Sequence, residues 1–315
     1  MAMTKSDKIW MNGQFVAWDD AKVHVLSHVL HYGSSVFEGI RAYPTKQGTA
    51  IFRLADHIER LAYSAKIYRM KMPYTAAQLE RACLETVSVN HLSECYIRPL
   101  VYRGYSHVGV NPIGTPIEVM VAAYPWGKYL GDDALTKGVS VKIGTWARMA
   151  PNTLPAMAKA GGNYLNSQLL KLEAVEDGYA EAIALDTNGY ISEGSGENLF
   201  LVMKGELITP PMHNSILAGI TRASVLQLAR ELGYTVREMV MPRELMYVCD
   251  EAFFTGTAVE VTPITSCDHV PVGNGEVGPV TKAIQQAFFG IVKGEVPDRH
   301  GWLTKVPLTV SATAS

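Results

Sequence analysis

The stretch that most limits what this chain can fold into is residues 149–166, MAPNTLPAMAKAGGNYLN. A lysine, Lys159, stands between Ala158 and Ala160 and is followed at once by Gly161 and Gly162. Lysine is ordinarily solvated, whereas such small neighbours suit a backbone that a large flat molecule can approach closely. From Asn163 onward the pattern turns helical: Tyr164, Leu165, Gln168, Leu169 and Leu172 share one face, and Gly178 offers a stop after Asp177. A lysine amine in a partly dry setting loses its proton readily and becomes a nucleophile or base. On this stretch alone a turn lysine ahead of a helix is the commoner reading, so the rest of the chain has to decide.

A length of 315 residues sets the expectation of one large or two mid-sized domains. The net charge of −2 supplies no basic field for nucleic acid. No apolar run reaches the ~18 residues of a membrane span, and the first residues lack the apolar core of a secretory leader. Cys83, Cys95, Cys249 and Cys267 are scattered without CxxC spacing, which fits a reducing compartment rather than a disulfide frame or zinc knuckle. A cytoplasmic protein without membrane or nucleic-acid partners is expected.

Along the chain, residues 9–18 read as a hairpin turned by Asn12-Gly13. His24, His28 and His31 recur at spacings that suit one helical face, but no carboxylate or cysteine completes a ligand set, and no metal is expected. Residues 36–43 read as one strand with Phe37, Gly39, Arg41 and Tyr43 on one face; the glycine leaves room for a ligand or another backbone, or marks a bulge. An amphipathic helix over 53–70 carries Arg60 at the margin of its apolar stripe, and a second helix covers 76–90. In the strand 95–103, Tyr96 and Arg98 share a face and can together hold a carboxylate, while Pro99 points to an edge or a bulge. A strand over 117–124 closes this half.

Residues 127–137 read as a linker that carries Tyr129. Beyond it come a strand over 139–145, the lysine stretch, and a hairpin turned by Asn188-Gly189 that delivers Glu193. Gly194-x-Gly196 is half of a dinucleotide fingerprint, but Leu199 stands where the third glycine belongs and no helical pattern follows. Gly219 and Thr221 open a clear helix that ends at Gly233, and such a helix start suits either a phosphate or an ordinary cap. The strand 251–255 runs into the small-residue turn Gly256-Thr257-Ala258. A last helix covers 279–292, and the tail after Pro307 is expected to fray.

A half-buried lysine, a carboxylate on a hairpin, two phosphate-type turns and an arginine are parts that pyridoxal phosphate needs, although spacing alone leaves this as one candidate among several. The blocks HYGSSVFEGIRAY, YIRPLVYRG, APNTLPAMAKAGGNYLNS, ALDTNGYISEGSGENLF, LAGITR and TGTAVEVTPI go further. With them the chain closely resembles the bacterial branched-chain amino acid aminotransferases of fold-type IV, from about Ile9 to Trp302.

That resemblance implies an α/β (α+β) fold: a small domain over 1–126, a linker over 127–137, and a large domain with a pseudo-barrel of strands over 138–315, with the cofactor between the two. It implies that Lys159 forms a Schiff base with pyridoxal 5′-phosphate, that Glu193 pairs with the ring nitrogen, and that Tyr164 bonds the phenolic oxygen. Arg60, Ile220, Thr221, Gly256 and Thr257 are implied at the cofactor, chiefly around its phosphate. Tyr32, Phe37, Gly39 and Tyr129 are implied around the substrate side chain, which Tyr164 also walls. Tyr96, Thr257 and Ala258 are implied at its α-carboxylate, and Arg98 at the distal carboxylate of glutamate. Residues 108–110 match a loop that family members lend to a neighbouring subunit, so a homo-oligomer, dimer or hexamer, is implied. The implied reaction is reversible transamination of L-leucine, L-isoleucine and L-valine with 2-oxoglutarate, giving branched 2-oxo acids and L-glutamate. D-amino acid aminotransferase, (R)-amine transaminase and aminodeoxychorismate lyase share the fold and stand as alternatives. A pyridoxal phosphate carrier without turnover and a metal-dependent hydrolase built on the histidines rank below them.

Overall fold

The computed structural model describes residues 4–127, 129–131 and 133–307. The chain forms two units: Met1–Gly127 with Ala158–Gly162 and Gly290–Ser315, and Lys128–Met157 with Asn163–Phe289. The stretch 138–315, expected as one domain, therefore gives up its lysine stretch and its C-terminal residues to the first unit. Backbone pairing explains both transfers. Ala160 bridges Val36, and the strand Leu303–Lys305 pairs along Gly48–Phe52.

In the first unit, β1 (Lys8–Met11) and β2 (Gln14–Ala17) make the expected hairpin, with Asn12 at φ 48° and Gly13 at φ 95°. A short helix α1 (His28–Tyr32) leads to β3 (Ser35–Phe37), β4 (Ile40–Thr45) and β5 (Gly48–Phe52). Helices α2 (Leu54–Ile67) and α3 (Ala76–Val89) precede β6 (Cys95–Arg103) and β7 (Ile117–Tyr124). The antiparallel sheet runs from the strand Leu303–Lys305 through β5, β4, β6, β7 and β1 to β2, with β3 also on β6. Leu54, Ile58, Leu61 and Ala65 of α2 and Leu79, Ala82, Cys83 and Val87 of α3 bury against Val36, Ile40, Ile97, Val101 and Val121. Full burial of each large aliphatic side chain here stabilises by roughly 1.5–3 kcal/mol, so this layer rather than any surface pair holds the unit.

Three expectations change here. Residues 36–43 are not one strand: β3 and β4 are separated by Glu38-Gly39, and each pairs β6 on its own side of the gap. Pro99 lies opposite that gap and β6 is an interior strand, so the edge reading fails and the irregularity lies in the facing chain. Glu38 N–H donates to the Pro99 carbonyl across the interruption, 2.9 Å. The histidines share no helical face, because α1 starts only at His28. His28 bonds Ser34 Oγ (2.7 Å) and the Gly109 carbonyl (3.0 Å), and His31 bonds the Val25 carbonyl (2.9 Å).

In the second unit, α4 (Ala134–Lys137) precedes β8 (Val139–Ile143) and α5 (Tyr164–Glu176) precedes β9 (Glu181–Leu185). Then come β10 (Ile191–Gly194), β11 (Asn198–Met203), β12 (Glu206–Thr209), α6 (Ile220–Glu231), β13 (Val236–Glu238) and α7 (Leu245–Val248). β14 (Glu251–Gly256), β15 (Glu260–Cys267) and β16 (Val270–Pro271) follow, and α8 (Pro279–Val292) belongs to this unit up to Phe289. The sheet order is β10-β9-β8-β15-β14-β11-β12-β13, curled as a half-barrel. β8 lies parallel to both β9 and β15, while β14 is antiparallel to β11 and β15. Strand β11 follows Gly194-x-Gly196 where a dinucleotide fold would place a helix.

Helix α5 begins and stops as the pattern predicts, but its buried face is Ser167, Leu170 and Ala174. Leu165, Leu169 and Leu172, the leucines of the stripe read from the sequence, are exposed. Small residues pack closest to β9, where Ala182 and Ala184 leave little depth. The expected frayed tail after Pro307 lies outside the described residues. No helix among the described residues is long and apolar enough to cross a membrane.

Candidate active site

Within the first unit, Lys159 is positioned by backbone contacts on both sides. Its N–H donates to Ser64 Oγ of α2 (3.0 Å), and its carbonyl accepts from Phe37 N–H of β3 (3.0 Å). A methyl group at Gly161 would collide with Ser35 Oγ, so that glycine serves packing against β3 rather than opening room for a flat ligand. The Lys159 ammonium lies 4.9 Å from the centre of the Phe37 ring, and Arg98 caps the same ring at 4.7 Å. Burial pushes the Lys159 amine down to about 8, and the positive charges of Arg60 and Arg98 push the same way, while Glu38 and Tyr96 oppose. The amine thus gives up its proton far more readily than a solvated lysine, while most of it stays charged at neutral pH.

Arg60 reaches inward from α2 and is held from behind by Glu38. Its Nε donates to Oε1 at 2.6 Å and its Nη2 to Oε2 at 2.8 Å. Glu38 is fully buried. Burial alone would raise its pKa, but Arg60 and His57 hold the carboxyl far below the usual range. His57 Nδ1 lies 2.7 Å from the same carboxylate. Burial keeps the His57 ring neutral against the pull of Glu38, so Nδ1 carries the hydrogen and donates it. The room expected beside Gly39 is filled: a methyl there would overlap Tyr96 Oη. Tyr96 in turn packs on Trp126, ring centres 4.8 Å apart. Tyr32 is 41% exposed and packs on His28, ring centres 4.6 Å apart. Since His28 also holds Gly109, Tyr32 and the loop 108–110 share one support.

The second unit centres on Glu193, buried in β10. Arg148 Nη2 donates to its Oε1 at 2.7 Å; Asn198 Nδ2 and Leu217 N–H donate to Oε2 at 3.1 and 3.0 Å. Tyr164 starts α5. Helix α6 begins at Ile220 and Thr221, both buried, and Gly219 offers no side chain to cap it. Such a start presents its first-turn amides to an anion. Gly256, Thr257 and Ala258 lie half-buried in the turn after β14, and Thr255 Oγ1 just before them is buried without a hydrogen-bond partner among the described residues. Tyr129 and Ala258 line one recess with Leu130, Ala134 and Leu135. Glu197, one turn from Glu193, is buried beside Glu181; burial and that like charge push its pKa well above the ordinary value.

Sequence reasoning passed over Glu38, His57, Trp126, Arg148 and Asn198. A carboxylate at the break in a strand pattern and an arginine beside a tryptophan and an alanine were the available signals, and each is common on solvated surfaces.

The model of the class IV amino-transferases matches residues 35–267. The branched-chain-amino-acid aminotransferase of Escherichia coli K12 is 53% identical over 307 residues, covering 97% of this chain and 99% of that protein. The one of Pseudomonas aeruginosa is 44% identical and covers 97% of this chain and all of that protein. A crystal structure of the E. coli enzyme superposes with a TM-score of 0.95 at 54% identity, over 96% of this chain and 100% of that one. The chain belongs to the class IV aminotransferases, and within them to the branched-chain-amino-acid aminotransferases. Pyridoxal phosphate is the cofactor of this class. Another branched-chain amino acid aminotransferase, from T.th., is 49% identical over 96% of this chain and 99% of that one with a TM-score of 0.92, and has been solved with N-(5′-phosphopyridoxyl)-L-glutamate. Each unit holds residues whose chemistry suits such a group: in the first, a buried lysine amine lowered to about 8; in the second, a carboxylate fixed by donors, a helix start whose N-cap glycine has no side chain, and a threonine hydroxyl without a partner among the described residues beside the Gly256-Thr257 turn.

Proposed function

We propose that this protein transfers the amino group of L-leucine, L-isoleucine and L-valine to 2-oxoglutarate, reversibly, with Lys159 as the residue that carries the proton. The observation that supports this most is the setting of the Lys159 amine, clipped by Ser64 and Phe37 and lowered to about 8. Pyridoxal phosphate, when bound, supplies a covalent hold on the amino group and a ring that draws electrons from Cα. Lys159 would hold it, and its amine, in the neutral form, would take the proton from the substrate Cα and hand it on. Glu193 accepts a hydrogen bond from the ring nitrogen, and Tyr164 holds the phenolic oxygen. Arg60, the α6 amides at Ile220 and Thr221, Gly256 and Thr257 hold the phosphate. Phe37, Tyr32, Tyr129 and Tyr164 exclude water around an apolar side chain, with Gly39 keeping the space that Tyr96 needs. Tyr96, Thr257 and Ala258 take the α-carboxylate. Arg98, which stacks on Phe37, pairs with the distal carboxylate of glutamate, so one pocket serves both substrates in turn.

The exposed apolar residues Leu30, Tyr105, Val108 and Val110 around α1 and the loop 108–110 support a homo-oligomer. The absence of a disulfide among the four buried cysteines supports a cytoplasmic site of action. The test is the visible absorbance of the purified holoenzyme. A cofactor band bleached by L-leucine and restored by 2-oxoglutarate is expected. Bleaching by D-alanine and not by L-leucine would move the protein to the D-specific branch of the class.

A further inference from the structure

Arg148 enters the second unit after β8, in a loop whose backbone N–H donates to the Leu185 carbonyl at 2.8 Å. Its guanidinium is 6% exposed and grips three side chains: Nη2 donates to Glu193 Oε1, and Nη1 to Asn166 Oδ1 (3.1 Å) and Ser167 Oγ (3.5 Å). Asn166 is oriented by its own donation from Nδ2 to the Ala147 carbonyl, 2.9 Å, which leaves its oxygen turned to Arg148. Asn198 is oriented in the same way, donating to the Leu217 carbonyl at 3.0 Å as well as to Glu193. The carboxylate therefore sits against a fixed cation and two further donors.

As a stabilising device this arrangement is poor. A buried ion pair gains little over an apolar pair of the same shape. Arg148 also leaves its Nε–H buried without a partner among the described residues, which costs stability. As a device for holding one protonation state it is effective, because a cation in contact with a carboxylate disfavours moving a proton onto it. We propose that Arg148 is a positioning residue that keeps Glu193 ionised, so that the proton shared with the cofactor's ring nitrogen stays on the nitrogen. This rests on the assignment of Glu193 to that nitrogen. The ring draws electrons from Cα more strongly when the nitrogen is protonated, so the charge on Arg148 reaches the reaction without touching substrate or cofactor. Asn166 and Ser167, in α5 just after Tyr164, fix where that charge is held.

The test uses holoenzyme loaded with cofactor labelled with ¹⁵N in the ring. Arg148→Met is expected to move the ring nitrogen resonance toward that of an unprotonated pyridine and to lower kcat by roughly 10- to 100-fold, the scale seen when an outer partner of a site ligand is removed. The KM for L-leucine is expected to change little. Arg148→Gln, which keeps hydrogen bonding without the charge, should do the same and serves if the methionine variant does not fold. Arg148→Lys, which keeps the charge, should retain the wild-type resonance. Glu193→Gln is the control for the underlying assignment. If it moves the resonance while Arg148→Met and Arg148→Gln leave it in place, the role of Arg148 is refuted and that of Glu193 stands. If Glu193→Gln leaves it in place too, the assignment of Glu193 fails and the proposal falls with it.

Discussion

Around Lys159 the first unit collects positive charge, whereas around Glu193 the second collects donors for a single negative one. Burial pushes both a lysine and a glutamate toward their neutral forms. The first unit reinforces that push: Arg60 and Arg98 add like charge, and the Lys159 amine falls to about 8. The second unit opposes it, spending Arg148, Asn198 and the Leu217 amide on one carboxylate. On the proposed assignment, Lys159 must be neutral to act as a base and Glu193 must stay charged to act as a counter-ion. The same low-dielectric setting yields either, according to which charges are packed against it.

The largest effect that would test this contrast comes from Lys159→Ala, expected to lower kcat by about a thousandfold or more in steady-state assays. Lys159→Arg should not rescue it, since a guanidinium stays charged; a rescued rate would show that neutrality of the group is irrelevant. Next is Glu38→Gln, which leaves the Arg60 guanidinium buried without its balancing carboxylate. Removing one partner of such a pair costs about 3–5 kcal/mol in urea unfolding, and a variant as stable as the wild type would show that Arg60 is balanced by other groups. Gly39→Ala should push on Tyr96 Oη and raise KM for both substrates by about tenfold while folding is kept. Unchanged KM values would place the carboxylate contact away from Tyr96.

Two pH experiments probe smaller terms. In cofactor-free protein, the rate of acylation of Lys159 should rise through about pH 8, and Arg60→Met should move that midpoint upward because Arg60 helps to lower it. A midpoint at the ordinary value of 10.5 would remove the electrostatic case for Lys159. Glu197, raised by burial and by Glu181, contributes stability below the ordinary carboxylate range and loses it as pH rises toward its own higher value. Glu197→Gln should therefore gain thermal stability over the wild type with increasing pH; a constant difference would mean that Glu197 does not titrate in that range.

What could be seen in the sequence was whatever depends on near neighbours. The Asn12-Gly13 and Asn188-Gly189 turns, the span of α3 and the start of α6 all follow from local pattern, whereas Arg60 at the margin of its stripe reads locally as a solvated flank. Lys159 and Glu193 stood out once the motif blocks were read together. The interruption at Glu38-Gly39 did not, because it is set by Pro99, some sixty residues on, and by a carboxylate whose two partners lie on α2. Nor did the burial of α5: its leucines carry the periodic signal, yet the sheet accepts the face with Leu170 and Ala174 instead. Arg148 and Asn198 were hidden for the same reason, since only folding brings them to Glu193.

The route of the chain has a consequence for its synthesis. Residues leave the ribosome in order, and by the time Gly127 has emerged the first unit has most of its sheet but neither Lys159 nor the strand Leu303–Lys305. Until Leu303–Lys305 appear, β5 remains an open edge, and until Ala160 emerges Val36 is paired only with Val101. A nascent chain of this kind carries an unpaired strand through most of its translation, the condition under which chaperones engage and aggregation begins. Nonsense truncation near residue 300 would thus remove no catalytic group, yet it would leave that edge permanently exposed.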